Sequence, residues 1–182
     1  MVMNQRIIAN EIANRIQANS SNNNCTNTFL QRKKNIESTT PNFSSRTEYE
    51  YNKPFEYHKL EKVLNKVKGT SPGPDNIRYE MIKKLSIQNK NILLDFYNDI
   101  WKKRELPKQW EEAIIIPILK PGKDSLDPDS YRPIALTNCL CKILERLVNN
   151  RLLYVLEKEK ILNSYQSGFR RKRCTHDNTT IL

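Results

Sequence analysis

An apolar stripe with helical spacing runs through residues 138–158, and it constrains the fold of this chain more than any other feature. Its members recur every three or four residues: Leu140, Ile143, Leu144, Leu147, Val148, Leu152, Val155 and Leu156. The other side carries polar residues, namely Lys142, Glu145, Arg146 and Asn149, so the pattern predicts a long amphipathic helix that begins at Asn138. A stripe of this kind is far more often core than a docking face for a partner helix, the alternative interpretation.

Three shorter helical patterns precede this stripe. Their apolar positions are Leu60, Val63, Leu64 and Val67 in the first, Ile77, Met81, Ile82 and Leu85 in the second, and Ile92, Leu93, Phe96, Tyr97, Ile100 and Trp101 in the third. The prolines and glycines of residues 69–74 separate the first two patterns, and Asp75 is expected to cap the second helix. The third helix ends before Pro107. Because helices this short are unstable alone, we expect them to pack together.

Two short runs between the third pattern and the long helix have the composition of β-strands. Residues 113–119 are apolar and rich in isoleucine, which predicts a buried strand, and Pro117 places that strand at a sheet edge or a bend. Residues 131–136 form a second strand, and the turn-rich residues 120–129 join the two into a ribbon. The predicted fold class is therefore α+β, with helices dominating.

Residues 1–50 contain little material for a core. Apart from a short helix expected between Ile7 and Ile16, their asparagine- and serine-rich stretches predict a polar linker that is partly disordered. The composition changes near residues 49–54. A globular region is therefore expected from residue 51 to residue 182.

The net charge of +11, from 31 Lys and Arg against 20 Asp and Glu, favours a polyanionic partner. We expect no membrane span, because no apolar run approaches about 18 residues. The N-terminus has no apolar leader, so we expect a cytoplasmic or nuclear protein that is not secreted and whose four cysteines are reduced. Zinc binding is not expected, since Cys139 and Cys141 would project about 200° apart around a helix.

Three segments combine polarity, constraint and positive charge, and each has more than one interpretation. The amides of residues 71–75 could receive a phosphate, but a stiff turn between helices is favoured because Asp75 competes for the same amides. Lys120, Lys123 and Arg132 on the ribbon could clamp a triphosphate or simply be solvated. Residues 166–173 place Phe169 beside four basic residues, which suits a nucleic-acid backbone, a nuclear-import patch or a solvated turn.

Taken in order along the chain, these motifs resemble the fingers region of the reverse transcriptases of non-LTR, LINE-like retrotransposons of the jockey-like kind. The motifs that carry the resemblance are Ser71-Pro72-Gly73-Pro74-Asp75, Trp110 with the strand that follows it, Ile118-Leu119-Lys120-Pro121-Gly122-Lys123, Tyr131-Arg132-Pro133-Ile134-Ala135-Leu136-Thr137, Lys142-Ile143-Leu144-Glu145-Arg146, Gln166-Ser167-Gly168-Phe169-Arg170 and Thr175-His176-Asp177. Each motif alone is weak, but their common order is specific.

The resemblance implies a fold and a set of partners. It implies that residues 51–182 are a partial reverse transcriptase domain, formed by an N-terminal extension and the helix-rich fingers of a right-hand polymerase with an incomplete palm. The implied partners are an RNA template, a DNA primer, and the palm and thumb of the same polyprotein. The implied cofactor of the full-length enzyme is Mg²⁺, held by palm aspartates and not by this segment.

The resemblance also implies roles for particular residues. By resemblance, the incoming nucleotide is contacted by residues of the ribbon and of the Gln166–Arg170 motif, which corresponds to the second conserved block of the family. This nucleotide-binding set comprises Lys120, Lys123, Arg132, Gln166, Gly168, Phe169 and Arg170. A nucleic-acid-binding set comprises Ser71, Gly73, Arg171, Lys172 and Arg173. No Asp-Asp pair occurs in the sequence, so we expect no catalytic or metal-binding residue and no polymerase activity from this chain alone. A non-catalytic basic module that binds nucleic acid is the alternative function.

Overall fold

The computed structural model describes residues 5–22, 25–39, 50–163, 165–170, 173, 174 and 176. Its helices are α1 (Gln5–Ser20), α2 (Asn27–Ser38), α3 (Tyr57–Lys66), α4 (Tyr79–Lys83), α5 (Ile87–Lys103) and α6 (Cys139–Lys158), and its strands are β1 (Ile114–Leu119) and β2 (Tyr131–Leu136). The predicted α+β class with dominant helices is confirmed. The chain forms two compact units, one of Met1–Arg46 with Ala113–Leu136, the other of Thr47–Glu112 with Thr137–Leu182.

The core of the second unit lies among α3, α4, α5 and α6. Its most completely buried side chains are Leu60, Leu64, Tyr79, Tyr97, Cys139 and Ile143. Tyr97 is enclosed at the centre, and its hydroxyl donates to the backbone oxygen of Leu140 at 2.9 Å. The apolar faces of short helices are thus covered by one another, as their individual instability requires.

Helix α6 confirms the longest sequence pattern, and it begins at Cys139, one residue after the predicted start at Asn138. Its N-terminal half carries the burial, with Ile143, Leu144 and Leu147 inside the core. Leu152, in the second half of the predicted stripe, is exposed instead. The stripe is therefore a core face only along part of its length.

Helix α4 is shorter than its pattern suggested, and two details of the prediction are wrong. Arg78, not Asp75, precedes its first residue, and the Asp75 carboxylate accepts a hydrogen bond from the amide of Ile77 at 3.0 Å. Met81 is exposed, whereas Tyr79 is buried. A helix of five residues has little more than one turn, so only one side of that turn faces the core.

Helix α5 begins after Ser86, whose side chain accepts a hydrogen bond from the amide of Asn89. Its inner face is rotated from the predicted stripe, so that Leu94 is buried while Ile92 and Phe96 are exposed. Phe96 instead meets the edge of Trp110, with ring centroids 5.9 Å apart. Partners from outside a helix thus decide which of two adjacent apolar rows is covered.

The ribbon of the first unit has the predicted strands but not the predicted burial. Strands β1 and β2 pair antiparallel from Ile114 opposite Leu136 to Leu119 opposite Tyr131. All six residues of β1 are exposed, so the expectation of a buried strand is wrong. Pro117 lies opposite Pro133. Antiparallel ladders alternate bonded and non-bonded pairs, and two prolines facing each other fit a non-bonded pair that needs neither amide.

Two helices occupy the described part of residues 1–50. Helix α1 contains the expected Ile7–Ile16 segment and extends beyond it at both ends. Helix α2 was not predicted from sequence; Thr26 caps it by accepting from the amide of Phe29, and none of its residues is buried. It is therefore a helix set by local capping and propensity, which hydrophobic periodicity does not detect.

Candidate nucleic-acid interface

The loop between β1 and β2 is built by its own backbone and its aspartates. The amide of Lys120 donates to the oxygen of Ser130 at 2.8 Å and extends the ribbon by one pair. Gly122, with a φ of 71°, makes a turn that favours glycine. The Asp124 and Asp127 carboxylates accept from amides two residues further on, at 2.9 Å each. Both carboxylates therefore accept hydrogen bonds that stabilise turns, and these turns define the conformation of the loop.

Helix α1 contacts the far side of this loop within the same unit. Arg15 Nη1 lies 2.7 and 2.9 Å from the two carboxylate oxygens of Asp129. Both side chains are more than half exposed, so solvent screens the pair strongly. The contact orients α1 on the loop and adds little stability.

The three cations predicted on the ribbon differ in their availability. Lys120 donates through Nζ to the backbone oxygen of Asp129 at 2.8 Å and is half-buried. Lys123 and Arg132 are exposed, and neither side chain has a hydrogen bond or ion pair with the described residues. Arg132 lies opposite Ile118, and because side chains alternate along strands, Lys120 and Arg132 fall on the same face of the ribbon.

The turn of residues 71–75 packs against the start of α6. Gly73 is buried, and a Cβ at this position would lie 2.6 Å from the backbone nitrogen of Asn138 and 2.6 Å from the carbonyl carbon of Thr137. Asn138 is itself fixed by donating from Nδ2 to the backbone oxygen of Gln109 at 3.1 Å. Ser71 remains exposed. The geometry supports the favoured interpretation of a stiff turn between helices.

Arg170 organises the segment that follows α6. Its Nε and Nη2 donate to the two carboxylate oxygens of Glu157 at 2.8 and 2.7 Å, a planar two-point pairing. Its Nη1 donates to the backbone oxygens of Asn163 and Gln166 at 2.9 and 3.1 Å. The Arg170 hydrogen bond holds the pKa of Glu157 below its usual range, and the same contact raises the pKa of Arg170.

The other predicted residues of this segment face solvent. Phe169 is completely exposed and has a φ of 61°. Gln166 is exposed and its Nε2 donates weakly to the backbone oxygen of Gly168 at 3.4 Å. Arg173 is exposed as well. Arg171 and Lys172 lie outside the described residues, as do Thr175 and Asp177 of the last motif.

The structure thus groups the predicted residues into a ribbon set, a turn set and a set after α6. Sequence reasoning missed Glu157, which holds Arg170, and Lys160, which lines a cavity beside it. It also missed the packing role of Asn138 against Gly73. The Glu157–Arg170 pair could not be predicted from the sequence, because 13 residues separate its members and no helical or strand period relates their positions.

Three further features of the described residues bear on what the chain can bind. No group of three His, Cys, Asp or Glu side chains there is placed to hold a metal ion. Cys139 and Cys141 are free thiols buried in the core. None of the helices in these ranges is both long enough and apolar enough to cross a bilayer.

Comparison with known proteins shows similarity to retrotransposon polymerases. The chain is 38% identical over 121 residues to a probable RNA-directed DNA polymerase from transposon BS of Drosophila melanogaster, which covers 64% of this chain and 13% of that protein. It is 38% identical over 118 residues to the RNA-directed DNA polymerase from mobile element jockey of Drosophila funebris, again 64% of this chain and 13% of the relative. A probable RNA-directed DNA polymerase from transposon X-element of Drosophila melanogaster is 35% identical over 115 residues.

The matched region is a small part of these relatives, since it spans 13% of the length of each of the three. A scan against protein-family models finds no match. The resemblance read from the motifs is confirmed: this chain is similar to RNA-directed DNA polymerases, or reverse transcriptases, of non-LTR retrotransposons.

Proposed function

Because the chain is similar to reverse transcriptases of non-LTR retrotransposons, we propose that residues 51–182 are the N-terminal extension and fingers of such an enzyme and contact the RNA template and the phosphates of the incoming nucleotide. Residues 1–50 are the polar segment that precedes this domain. The enzyme as a whole makes DNA from an RNA template on a DNA primer. Its palm and thumb belong to the same polyprotein.

The observation that carries this proposal is the pair of unengaged cations on the ribbon. Lys123 follows the Gly122 turn and Arg132 lies on the returning strand, and both are exposed without a partner among the described residues. An ammonium and a planar guanidinium on one ribbon can bind adjacent phosphate oxygens. Lys120 positions the loop through Asp129 and exchanges that contact for a phosphate when a nucleotide arrives.

Magnesium is part of this proposal only for the whole enzyme. In the whole enzyme, Mg²⁺ would supply positive charge to the transferred phosphates. The described residues do not fit such a site, since they contain no suitable cluster of acidic, histidine or cysteine side chains. We therefore assign the metal ligands to the palm. The ribbon of this chain contributes phosphate binding through Lys123 and Arg132.

The experiment measures the salt dependence of RNA binding. Fluorescence anisotropy with a labelled single-stranded RNA gives the binding constant at several salt concentrations for the wild type and for the double variant Lys123→Ala with Arg132→Ala. Each phosphate contact contributes roughly 0.7 to the logarithmic salt slope for a single strand, so losing two should reduce the slope by about 1.4. The matched control removes two exposed lysines elsewhere, Lys84→Ala with Lys108→Ala.

The control separates the proposal from its alternative. A loss confined to the ribbon variant supports the ribbon as a phosphate-binding element. Equal losses for the ribbon and control variants would contradict it and favour a non-catalytic module that binds nucleic acid through its overall charge of +11.

A further inference from the structure

A cavity of about 570 Å³ opens beside the end of α6 and is bordered by several charged residues. Glu157, Lys160, Arg170 and Arg173 contribute to its wall. The single acid is already paired with Arg170. Lys160 and Arg173 therefore leave this cavity with a net positive charge, which suits an anionic group such as a phosphate.

Arg170 is a support of this cavity and not a free ligand within it. Its side chain is only 10% exposed, and it makes four hydrogen bonds, two to Glu157 and two to backbone oxygens. These bonds join the end of α6 to the turn of residues 166–169. Binding an incoming phosphate through Arg170 would require this network to open, whereas Lys160 has no hydrogen bond or ion pair from its side chain to the described residues.

The turn held by Arg170 projects one aromatic ring into solvent. Phe169 is 101% exposed, and its φ of 61° lies in the left-handed region that bulky side chains rarely adopt. Glycine would take this conformation without strain, and the ring of Phe169 is not buried against any of the described residues. Lys160, at the other border of the cavity, has a positive φ of 52° for an ordinary reason: it follows the cap of α6, where the amide of Ile161 donates to the backbone oxygen of Leu156. Only the conformation of Phe169 therefore needs support from its surroundings.

We propose that the segment after α6 is a binding subsite for single-stranded RNA, in which a nucleobase stacks on Phe169 and a neighbouring phosphate enters the cavity between Lys160 and Arg173. Glu157 and Arg170 fix the turn that presents the ring. An exposed aromatic beside a basic cavity is the combination by which proteins hold single strands, because a duplex keeps its bases stacked inside. The proposal deepens the proposed function, on which it rests, by assigning a chemistry to this part of the chain.

The experiment uses two probes of equal length with the full chain. One is a labelled oligoadenylate, and the other is an abasic ribose-phosphate oligomer that offers phosphates but no bases. Phe169→Ala should weaken oligoadenylate binding about fivefold or more, which corresponds to at least about 1 kcal/mol of stacking. It should leave binding of the abasic oligomer unchanged, and Phe169→Tyr should restore oligoadenylate binding. Lys160→Ala with Arg173→Ala should weaken both probes and lower the salt slope by about 1.4.

A matched control and a folding check keep the result interpretable. Phe29 on α2 is also an exposed phenylalanine, so Phe29→Ala makes the same chemical change elsewhere and should not alter binding. Circular dichroism should show an unchanged fold for Phe169→Ala, because the ring is fully exposed. Wild-type binding of oligoadenylate by Phe169→Ala would overturn the subsite. Failure of the wild type to bind either probe would instead overturn the proposed function.

Discussion

Gly73 has no side chain, and the backbone that begins α6 passes so close to it that no side chain fits. A Cβ there would lie 2.6 Å from both the Asn138 nitrogen and the Thr137 carbonyl carbon, whereas non-bonded heavy atoms prefer roughly 3.5–4.0 Å. Both atoms are backbone at the start of a long helix, and Asn138 is further fixed through Gln109. Gly73→Ala must therefore move the turn away from α6, at the cost typical of overpacking, about 1–3 kcal/mol.

Urea unfolding followed by far-UV circular dichroism measures this cost. With a denaturant slope of roughly 2 kcal/mol per molar, a loss of about 2 kcal/mol lowers the midpoint by roughly 1 M. Gly168→Ala is the matched control, because a Cβ at Gly168 meets nothing within 4 Å. This control should change the stability by no more than about 0.4–1 kcal/mol, and in the stabilising direction.

The same pair of variants tests whether Gly73 also contacts nucleic acid. If its role is packing alone, Gly73→Ala should bind single-stranded RNA with wild-type affinity under conditions where it remains folded. A wild-type urea midpoint for Gly73→Ala would refute the close approach to α6. A normal midpoint with weakened RNA binding would instead assign Gly73 to the interface.

Two further predictions concern the core of the second unit. Arg151 lies over the rings of Phe55 and Trp101, at 4.1 and 5.2 Å from their centroids, and donates to two backbone oxygens of the segment before α3. Arg151→Met should therefore lower the free energy of unfolding by about 1–2 kcal/mol. A wild-type urea midpoint for this variant would contradict the prediction. Burial and the Glu145 carboxylate raise the pKa of Cys141 to about 11. Because a thiol in the unfolded chain ionises near about 8.5, the unfolded state loses its proton first, and stability should fall as pH rises from about 8.5 to about 11. Urea midpoints across this range should decline less in Cys141→Ala, and parallel declines would exclude the thiol as the cause.

The sequence predicted those parts of the fold that depend on local patterns. Helix α6 begins within one residue of its predicted start, because a 3.6-residue period is a property of residues close together in the sequence. The predicted bounds of β1 and β2 agree with the structure to within one residue, since β-branched runs on either side of a Pro-Gly turn are typical of paired strands. The motifs along the same elements also carried the resemblance that the comparisons confirm.

Burial was predicted less well, because periodicity shows which side chains share a face but not what covers that face. The residues of β1 were predicted to be buried, but all of them are exposed in the ribbon. In α5 the covered row is shifted toward Leu94 and away from Ile92, because the neighbouring helices lie on that side. The same limit explains why Leu152 is exposed at the second half of an unbroken stripe.

The sequence by itself determined the helices, the ribbon, the surplus of positive charge and the likeness to reverse transcriptases. Each of these features depends only on residues close together in the sequence or on composition. Only the tertiary structure decided that Gly73 is a packing position and that Arg170 is engaged by Glu157 while Phe169 stands free. These outcomes depend on residues that are distant along the chain and meet only after folding. A side chain's chemistry is local, but its availability for binding is set by its partners.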